Sequence, residues 1–318
     1  MSGKIAVILL NLGGPESIET IEPFLYNLFL DPDIFKIPFG QKIFAKTIAK
    51  LRAPKVAKQY KLIGGSSPIN KFTEKQRMAL YERLVKHTDS IDVYTAMRYW
   101  KPLISEVVAK IEKENYDKII LLPLYPHYSI VTVGSSINEF FRFYKGDKKK
   151  VEIIKSYFNN QDYLKSISNR IDETIKRFPE KIRNEIFILF SAHGTPQSII
   201  DKGDPYKEQI EASIKSVMKL RGNSHNYGLS FQSKVGPNKW LQPSTEKFIK
   251  ELSDKGVENL LVVPISFVSD HLETIYELGI EYKKFAEEEG IKQYEVIEGL
   301  NDSKTFIDAL ENLVLEKL

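Results

Sequence analysis

Residues 186–196 read Ile-Phe-Ile-Leu-Phe-Ser-Ala-His-Gly-Thr-Pro, a short β-prone apolar run that breaks into a Gly/Pro turn with a histidine at the break. Residues 5–15, Ile-Ala-Val-Ile-Leu-Leu-Asn-Leu-Gly-Gly-Pro, follow the same plan. Apolar runs of this length, ended by Gly or Pro, predict strands at Ile186–Phe190 and Ile5–Leu10. Two further runs, Ile119–Leu122 and Leu260–Val263, lead into Pro and hydroxyl-rich sequence, Pro123-Leu124-Tyr125-Pro126-His127-Tyr128-Ser129 and Pro264-Ile265-Ser266-Phe267-Val268-Ser269. Each of these two is preceded by a helically spaced stretch, Leu103 to Ile111 or Phe248 to Leu252, and that stretch by a short strand-like segment. The expectation is an α/β chain of two similar units in tandem, either by duplication or by shared βαβ grammar.

The spacing between the halves carries a second signal. Pro15 and Pro196 stand 181 residues apart, but Pro123 and Pro264 only 141. The first half therefore holds roughly forty extra residues after its first strand. They would leave from the carboxyl edge of a parallel sheet, where open α/β folds place ligands, so residues about 23–60 are expected to form an active-site lip. The charged, Gly-containing stretch at 145–150 predicts the boundary between the halves. That gives a first lobe at 1–150 and a second at 151–302. A last helix at 303–318 should pack back on the lobes through Phe306, Ile307, Leu310, Leu313, Val314 and Leu318.

Composition narrows the function classes. The 318 residues are 42% apolar and 28% charged, as in an ordinary globular protein. There is no Cys, which excludes intrinsic disulfides, thiolate catalysis, zinc thiolates and an iron–sulfur cluster. The first apolar run is too short for a membrane span or a signal sequence, so a cytoplasmic protein is expected. A net charge of +4 is too small to argue for nucleic acid. That charge is concentrated: Phe24 to Tyr60 holds seven bases (Lys36, Lys42, Lys46, Lys50, Arg52, Lys55, Lys58) against two acids (Asp31, Asp33). Neither Gly13-Gly14 nor Gly64-Gly65-Ser66-Ser67-Pro68 has the spacing of a nucleotide-binding loop.

Among five histidines, His193 stands out because it follows directly on a buried strand. A satisfied turn histidine and a functional one have even odds there. Ser191 lacks a G-x-S-x-G elbow, which weakens any hydrolase reading. The second cluster is Ser269-Asp270-His271-Leu272-Glu273-Thr274-Ile275-Tyr276-Glu277, continuing to Glu281. Asp270 and Glu273 have capping-box spacing. Capping leaves unexplained why Glu273, Glu277 and Glu281 recur on one helical face, where like charges repel. A row of carboxylates facing a cleft binds a cation or passes protons; a solvated face also tolerates it. One imidazole with one or two carboxylates suits a divalent first-row metal and leaves coordination positions open.

Taken together, the runs LLNLGGPES, QYKLIGGSSPI, LPLYPHYSIVTVGSS, LFSAHGTP, DPY, FQSKVGPNKWLQP and PISFVSDHLETIYELGIEY resemble, in order and across nearly the whole chain, the ferrochelatases that complete haem synthesis. Seven such runs in order are highly specific. The resemblance is closest to members that use protoporphyrin, whose early motif reads LNxGGP. It implies the chelatase fold, two similar Rossmann-like lobes, each a parallel sheet flanked by helices, with a porphyrin cleft between them. His193 is similar to the family's invariant histidine and Glu273 to its partner carboxylate, the two held to bind metal or take a pyrrole proton. The resemblance implies that Glu277 and Glu281 continue an acidic path and that Asp270 and His271 support the site. It places Leu12 near the macrocycle's opposite face, Arg52, Tyr60 and Ser67 at the propionates, and Arg98, Tyr125 and Trp240 elsewhere in the pocket.

The implied reaction is ferrous iron insertion into protoporphyrin IX, with iron as substrate and no tightly bound cofactor. Animal members carry a cysteine-rich extension with an iron–sulfur cluster and an associated dimer. Without Cys, neither is expected here, and a monomer is. Phe24, Leu25, Leu28, Phe29, Ile34, Phe35, Phe39, Ile43 and Phe44, beside Lys42, Lys46 and Lys50, are read with equal weight as a membrane-touching lip or as the pocket wall. The competing functions are a coproporphyrin ferrochelatase, a cobalt chelatase acting on a more acidic tetrapyrrole, and a non-catalytic tetrapyrrole carrier. The last would need no row of carboxylates.

Overall fold

All four apolar runs form strands, and each sits inside a sheet rather than at its edge. The structure, a computed structural model, describes residues 3–35, 37–233 and 239–318. Lys36 of the basic segment and Lys234 to Asn238 of FQSKVGPNKWLQP lie outside the described residues. The chain divides into two units, residues 1–156 with 307–318, and residues 157–306.

In the first unit, β1 (Ile5–Asn11) is followed by α1 (Ile21–Phe29), α2 (Gln41–Leu62) and α3 (Ile69–Leu84) before β2 (Ile91–Met97). Then come α4 (Ile104–Lys113), β3 (Lys118–Pro123), a π-helix at Ile130–Gly134, α5 (Ser135–Phe143) and β4 (Val151–Ile153). The strands form a parallel sheet in the order β2-β1-β3-β4. Helices cover it, which is why β1 and β3 read as continuous apolar runs instead of alternating ones. Val107, Val108 and Ile111 of α4 and Phe140 of α5 bury against Ile8, Leu10 and Leu121. Each such side chain contributes about 1.5–3 kcal/mol.

The second unit runs α6 (Gln161–Ile175), β5 (Phe187–His193), α7 (Gln197–Ile200), α8 (Tyr206–Leu220), β6 (Tyr227–Gln232) and α9 (Thr245–Asp254). It continues with β7 (Asn259–Pro264), a π-helix at Glu273–Glu281, α10 (Tyr282–Glu288) and β8 (Gln293–Val296); the last helix, α11 (Lys304–Leu315), starts here and from Ile307 belongs to the first unit. Its parallel sheet has the order β6-β5-β7-β8, the order of the first sheet repeated. The repeat extends to detail. Met97 N–H donates to Pro102 O at 2.7 Å, and Phe231 N–H to Pro243 O at 2.9 Å. Those two prolines are again 141 residues apart.

Two boundaries differ from the sequence reading. The division falls after Ser156, not near 150, because Val151–Ile153 pairs with β3 and completes the first sheet. The strand that opens at residue 186 in the sequence reading does not stop at Phe190: β6 supplies main-chain partners as far as the pair His193–Gln232, so His193 is the last strand residue rather than a turn residue. Residues 307–318 belong to the first unit. There, Arg83 pairs with Asp308 and, at 3.0 Å, with Glu311.

Candidate active site

His193 and Glu273 meet at the carboxyl ends of neighbouring strands. β5 ends on His193, and the segment after β7 leads into the π-helix that begins at Glu273. Thr274 and Leu278 are buried, anchoring one side of that helix against the sheet. Bonding from residue i to i+5, as from Tyr282 N–H to Glu277 O, widens the turns. π-Helices are rare and concentrate at functional sites. His193 Nδ1 lies 2.9 Å from Glu273 Oε2. A carboxylate only accepts, so Nδ1 carries the proton and a neutral His193 keeps its lone pair on Nε2.

The charges of the pair reinforce each other. Burial disfavours the imidazolium of His193, but the charge and hydrogen bond of Glu273, with the charge of Glu277, outweigh it and raise His193 above its ordinary 6.5. Burial alone would push Glu273 up; the charge and hydrogen bond of His193, and His271 beyond, hold it well below the usual carboxylate range. The signs fix a pH window. The His193 contribution to stability is fully present below about pH 6.5 and lost as pH rises through its raised value, while that of Glu273 is present above about pH 4.5 and lost on acidification through its lowered value. NMR titration of the metal-free protein is expected to place His193 above 6.5. In Glu273→Gln, where the carboxylate charge disappears and a neutral acceptor remains, the midpoint should drop; an unchanged midpoint would show that the carboxylate does not set the imidazole's charge.

Around this pair the sequence candidates divide. His271 donates from Nδ1 to Ser269 O at 3.1 Å, and its buried Nε2, unpaired among the described residues, sits 3.8 Å from Glu273 Oε2. Its ring packs on Phe267 with centroids 4.2 Å apart. Asp270 is not a helix cap. Its N–H donates to Asn301 Oδ1, while its carboxylate accepts from Thr274 Oγ1, Gly299 N and Asn301 Nδ2. A Cβ on Gly299 would lie 2.8 Å from Asp270 N, so this clamp needs glycine. The capping-box spacing is thus coincidental, and the Glu273 carboxylate is left for His193.

Glu277 accepts from Ser233 N (3.0 Å), Ser233 Oγ (2.6 Å) and Tyr282 Oη (3.1 Å). Burial and the neighbouring Glu273 charge raise its pKa. Glu281 is exposed at the end of the π-helix. Trp240 pairs with Pro196 and packs on Gly194, with its buried indole N–H unpaired among the described residues.

In the first unit, Leu12 follows β1 in the turn held by reciprocal bonds between Gly14 and the Asn70 side chain, 3.0 and 2.7 Å. Arg52 is exposed on α2, 5.8 Å from the Phe29 ring. The other two residues matched to propionates are not free rim groups: Tyr60 is buried, and Ser67 is buried against Gly14. Arg98 departs furthest from its expected role. Its guanidinium is engaged by Asp31 Oδ1 at 3.0 Å, Ser135 Oγ at 2.8 Å and Glu139 Oε1 at 3.4 Å. Tyr125 is half-buried, and burial keeps its phenol protonated. The lip also turns inward more than its sequence suggests. Phe24, Leu25 and Phe29 are buried, and Phe29, Phe35 and Phe44 cluster at centroid distances of 5.2–6.4 Å. Of the lip set, only Phe39 and Ile43 stand out into solvent, 93% and 74% exposed.

Two tandem four-stranded parallel sheets of matching order constitute the chelatase fold. SirB from Bacillus subtilis with Fe3+ shares it at a TM-score of 0.56 and 13% identity, covering 98% of this chain and 95% of that one. The sirohydrochlorin chelatase SirB from Bacillus subtilis subspecies spizizenii in complex with cobalt shares it at 0.53 and 11%, covering 98% and 94%. The family is narrower than the fold. Residues 4–318 match the Ferrochelatase family model, and the chain belongs to the ferrochelatase family. Its relatives include the ferrochelatases of Aquifex aeolicus, 47% identical with 98% of both chains covered, and of Geotalea uraniireducens, 46% identical with 99% and 98% covered. Membership carries the family's reaction, insertion of ferrous iron into a porphyrin in haem biosynthesis.

Proposed function

We propose that this chain is a ferro-lyase whose porphyrin is protoporphyrin IX and whose reacting groups are His193 and Glu273. The single observation that carries the reading is the 2.9 Å contact that puts the proton on Nδ1 and leaves Nε2 as a base. Metal entry displaces two pyrrole protons. Nε2 accepts a proton as the ring nitrogen turns to the metal, and the Glu273 carboxylate stabilises the imidazolium so formed. Imidazole and carboxylate also suit ferrous iron as a transient first site, with open positions from which it can move on. Glu277, with its raised pKa, and exposed Glu281 give protons a way outward. The chemistry needs no resident cofactor, and with no Cys the chain has no thiolate for a cluster.

The two-propionate ring is favoured over a four-propionate one by the supply of cations. Of the residues matched to propionate anchors only Arg52 presents a charge, and Arg98 is already neutralised by Asp31. Anaerobic iron insertion should be faster with protoporphyrin than with coproporphyrin at equal concentration. The reverse order would replace the substrate and leave the reaction standing.

The protein works in the cytoplasm as a monomer, with α2 against the membrane surface. Among the described residues no helix is long and apolar enough to cross a membrane, but α2 holds seven cations and no acid, with Ile43, Leu51 and Leu62 exposed. Exposed apolar side chains set among Lys residues suit the interface of anionic lipids, where each Lys contributes about 1 kcal/mol. Vesicles containing phosphatidylglycerol should bind the protein. Replacing Lys46 and Lys50 by Glu should weaken that binding by roughly tenfold or more. Equal binding to neutral vesicles would remove α2 as a membrane contact.

A further inference from the structure

We infer that Tyr206 and Ser266 are positioning residues that hold His193 by its main chain through two hydrogen bonds, one at its N–H and one at its C=O. His193 N–H donates to Ser266 Oγ at 2.9 Å, and Tyr206 Oη donates to His193 O at 3.0 Å. The phenolic proton goes to the carbonyl, and the Ser266 oxygen accepts the amide. Both side chains are buried, and burial keeps the phenol protonated.

The two bonds stand where the sheet leaves off. Register between β5 and β7 runs from Phe187–Leu260 to Ser191–Pro264 and stops two residues before His193. The β6 side continues to His193 itself. On the β7 side, the peptide that carries His193 has no strand to hold it, and the two hydroxyls stand in for that strand. Their own placement is fixed by local structure. Asp204 Oδ1 accepts from Tyr206 N–H at 3.0 Å at the start of α8, and Phe267 N–H to Pro264 O at 3.2 Å closes the turn that presents Ser266. Asp204-Pro205-Tyr206 thereby brings a phenol to the back of the histidine peptide while the imidazole faces Glu273.

The inference rests on the proposed role of His193 at the reacting atoms. A misplacement of about 1 Å in a reacting group costs on the order of 100-fold in rate. Tyr206→Phe and Ser266→Ala are therefore expected to lower kcat for anaerobic iron insertion by roughly 10- to 100-fold. The porphyrin KM should stay within about twofold, because neither hydroxyl is assigned to the ring. Ser266→Thr, which keeps the hydroxyl, should recover most of the loss. The Nδ1 proton resonance of His193 in the metal-free protein should move or broaden in Tyr206→Phe. Unchanged kcat in both single variants, or a fall in thermal stability with the Nδ1 resonance unmoved, would overturn the clamp. If instead His193→Ala inserts iron normally, the catalytic reading of His193 fails, and that outcome is separable from the first two.

Discussion

His193→Ala and Glu273→Ala each lower anaerobic iron insertion by roughly 100- to 10,000-fold, the range over which a positioned acid–base group acts, while porphyrin binding followed by fluorescence quenching changes little. The two losses arise differently. Without His193 there is no Nε2 to take the pyrrole proton. Without Glu273 the imidazole remains but is free to rotate and to change tautomer, and its protonated form loses the partner 2.9 Å away. Because the pair acts as a unit, the double variant should be scarcely slower than the worse single one. Normal turnover in either single variant would remove that residue from the chemistry, and tight binding with no turnover in both is the expected signature.

The repeat made the architecture legible, and its broken symmetry sets His193 and Glu273 of the second unit apart from their counterparts in the first. The offsets of 181 and 141 residues that relate the two sheets also relate Leu12 to His193 and Thr132 to Glu273. The end of the first strand and the π-helix carry an imidazole and a carboxylate in one copy and an apolar and a hydroxyl group in the other. Hydropathy registers the strands equally in both copies because it responds to burial. Only the departures between the copies point to function. Spacing alone could not separate Glu273 the cap from Glu273 the partner of His193. That choice depends on Asn301, 31 residues after Asp270, occupying the Asp270 amide. Tyr206 and Ser266 were hidden for a related reason. They act on a backbone peptide, and no periodicity reports which hydroxyl will replace a missing strand. The lip was legible as a basic, apolar insertion, but which rings face inward depends on the packing of Phe29, Phe35 and Phe44 across two helices.

Arg98 is where a family resemblance and local electrostatics part, and Asp31→Ala is the experiment that separates them. Asp31 follows α1 at the root of the lip, fully buried, and its carboxylate takes Arg98 on one oxygen at 3.0 Å and, on the other, accepts from both Tyr99 Oη at 2.6 Å and Ser135 Oγ. The carboxylate thus joins the end of α1, the residues after β2 and the start of α5. Removing it leaves the guanidinium buried with Glu139, itself shared with Arg142, as its only charged partner among the described residues. Breaking a buried pair in this way costs about 3–5 kcal/mol, whereas replacing both partners by apolar groups of similar volume is often close to neutral. Asp31→Ala should therefore lower the urea midpoint of the first unit's unfolding strongly, and Asp31→Ala with Arg98→Met should recover most of the loss. If Arg98 served the porphyrin pocket instead, Arg98→Met alone would raise the porphyrin KM and the double variant would remain impaired in binding. A double variant with restored stability and an ordinary KM would assign Arg98 to holding the root of the lip.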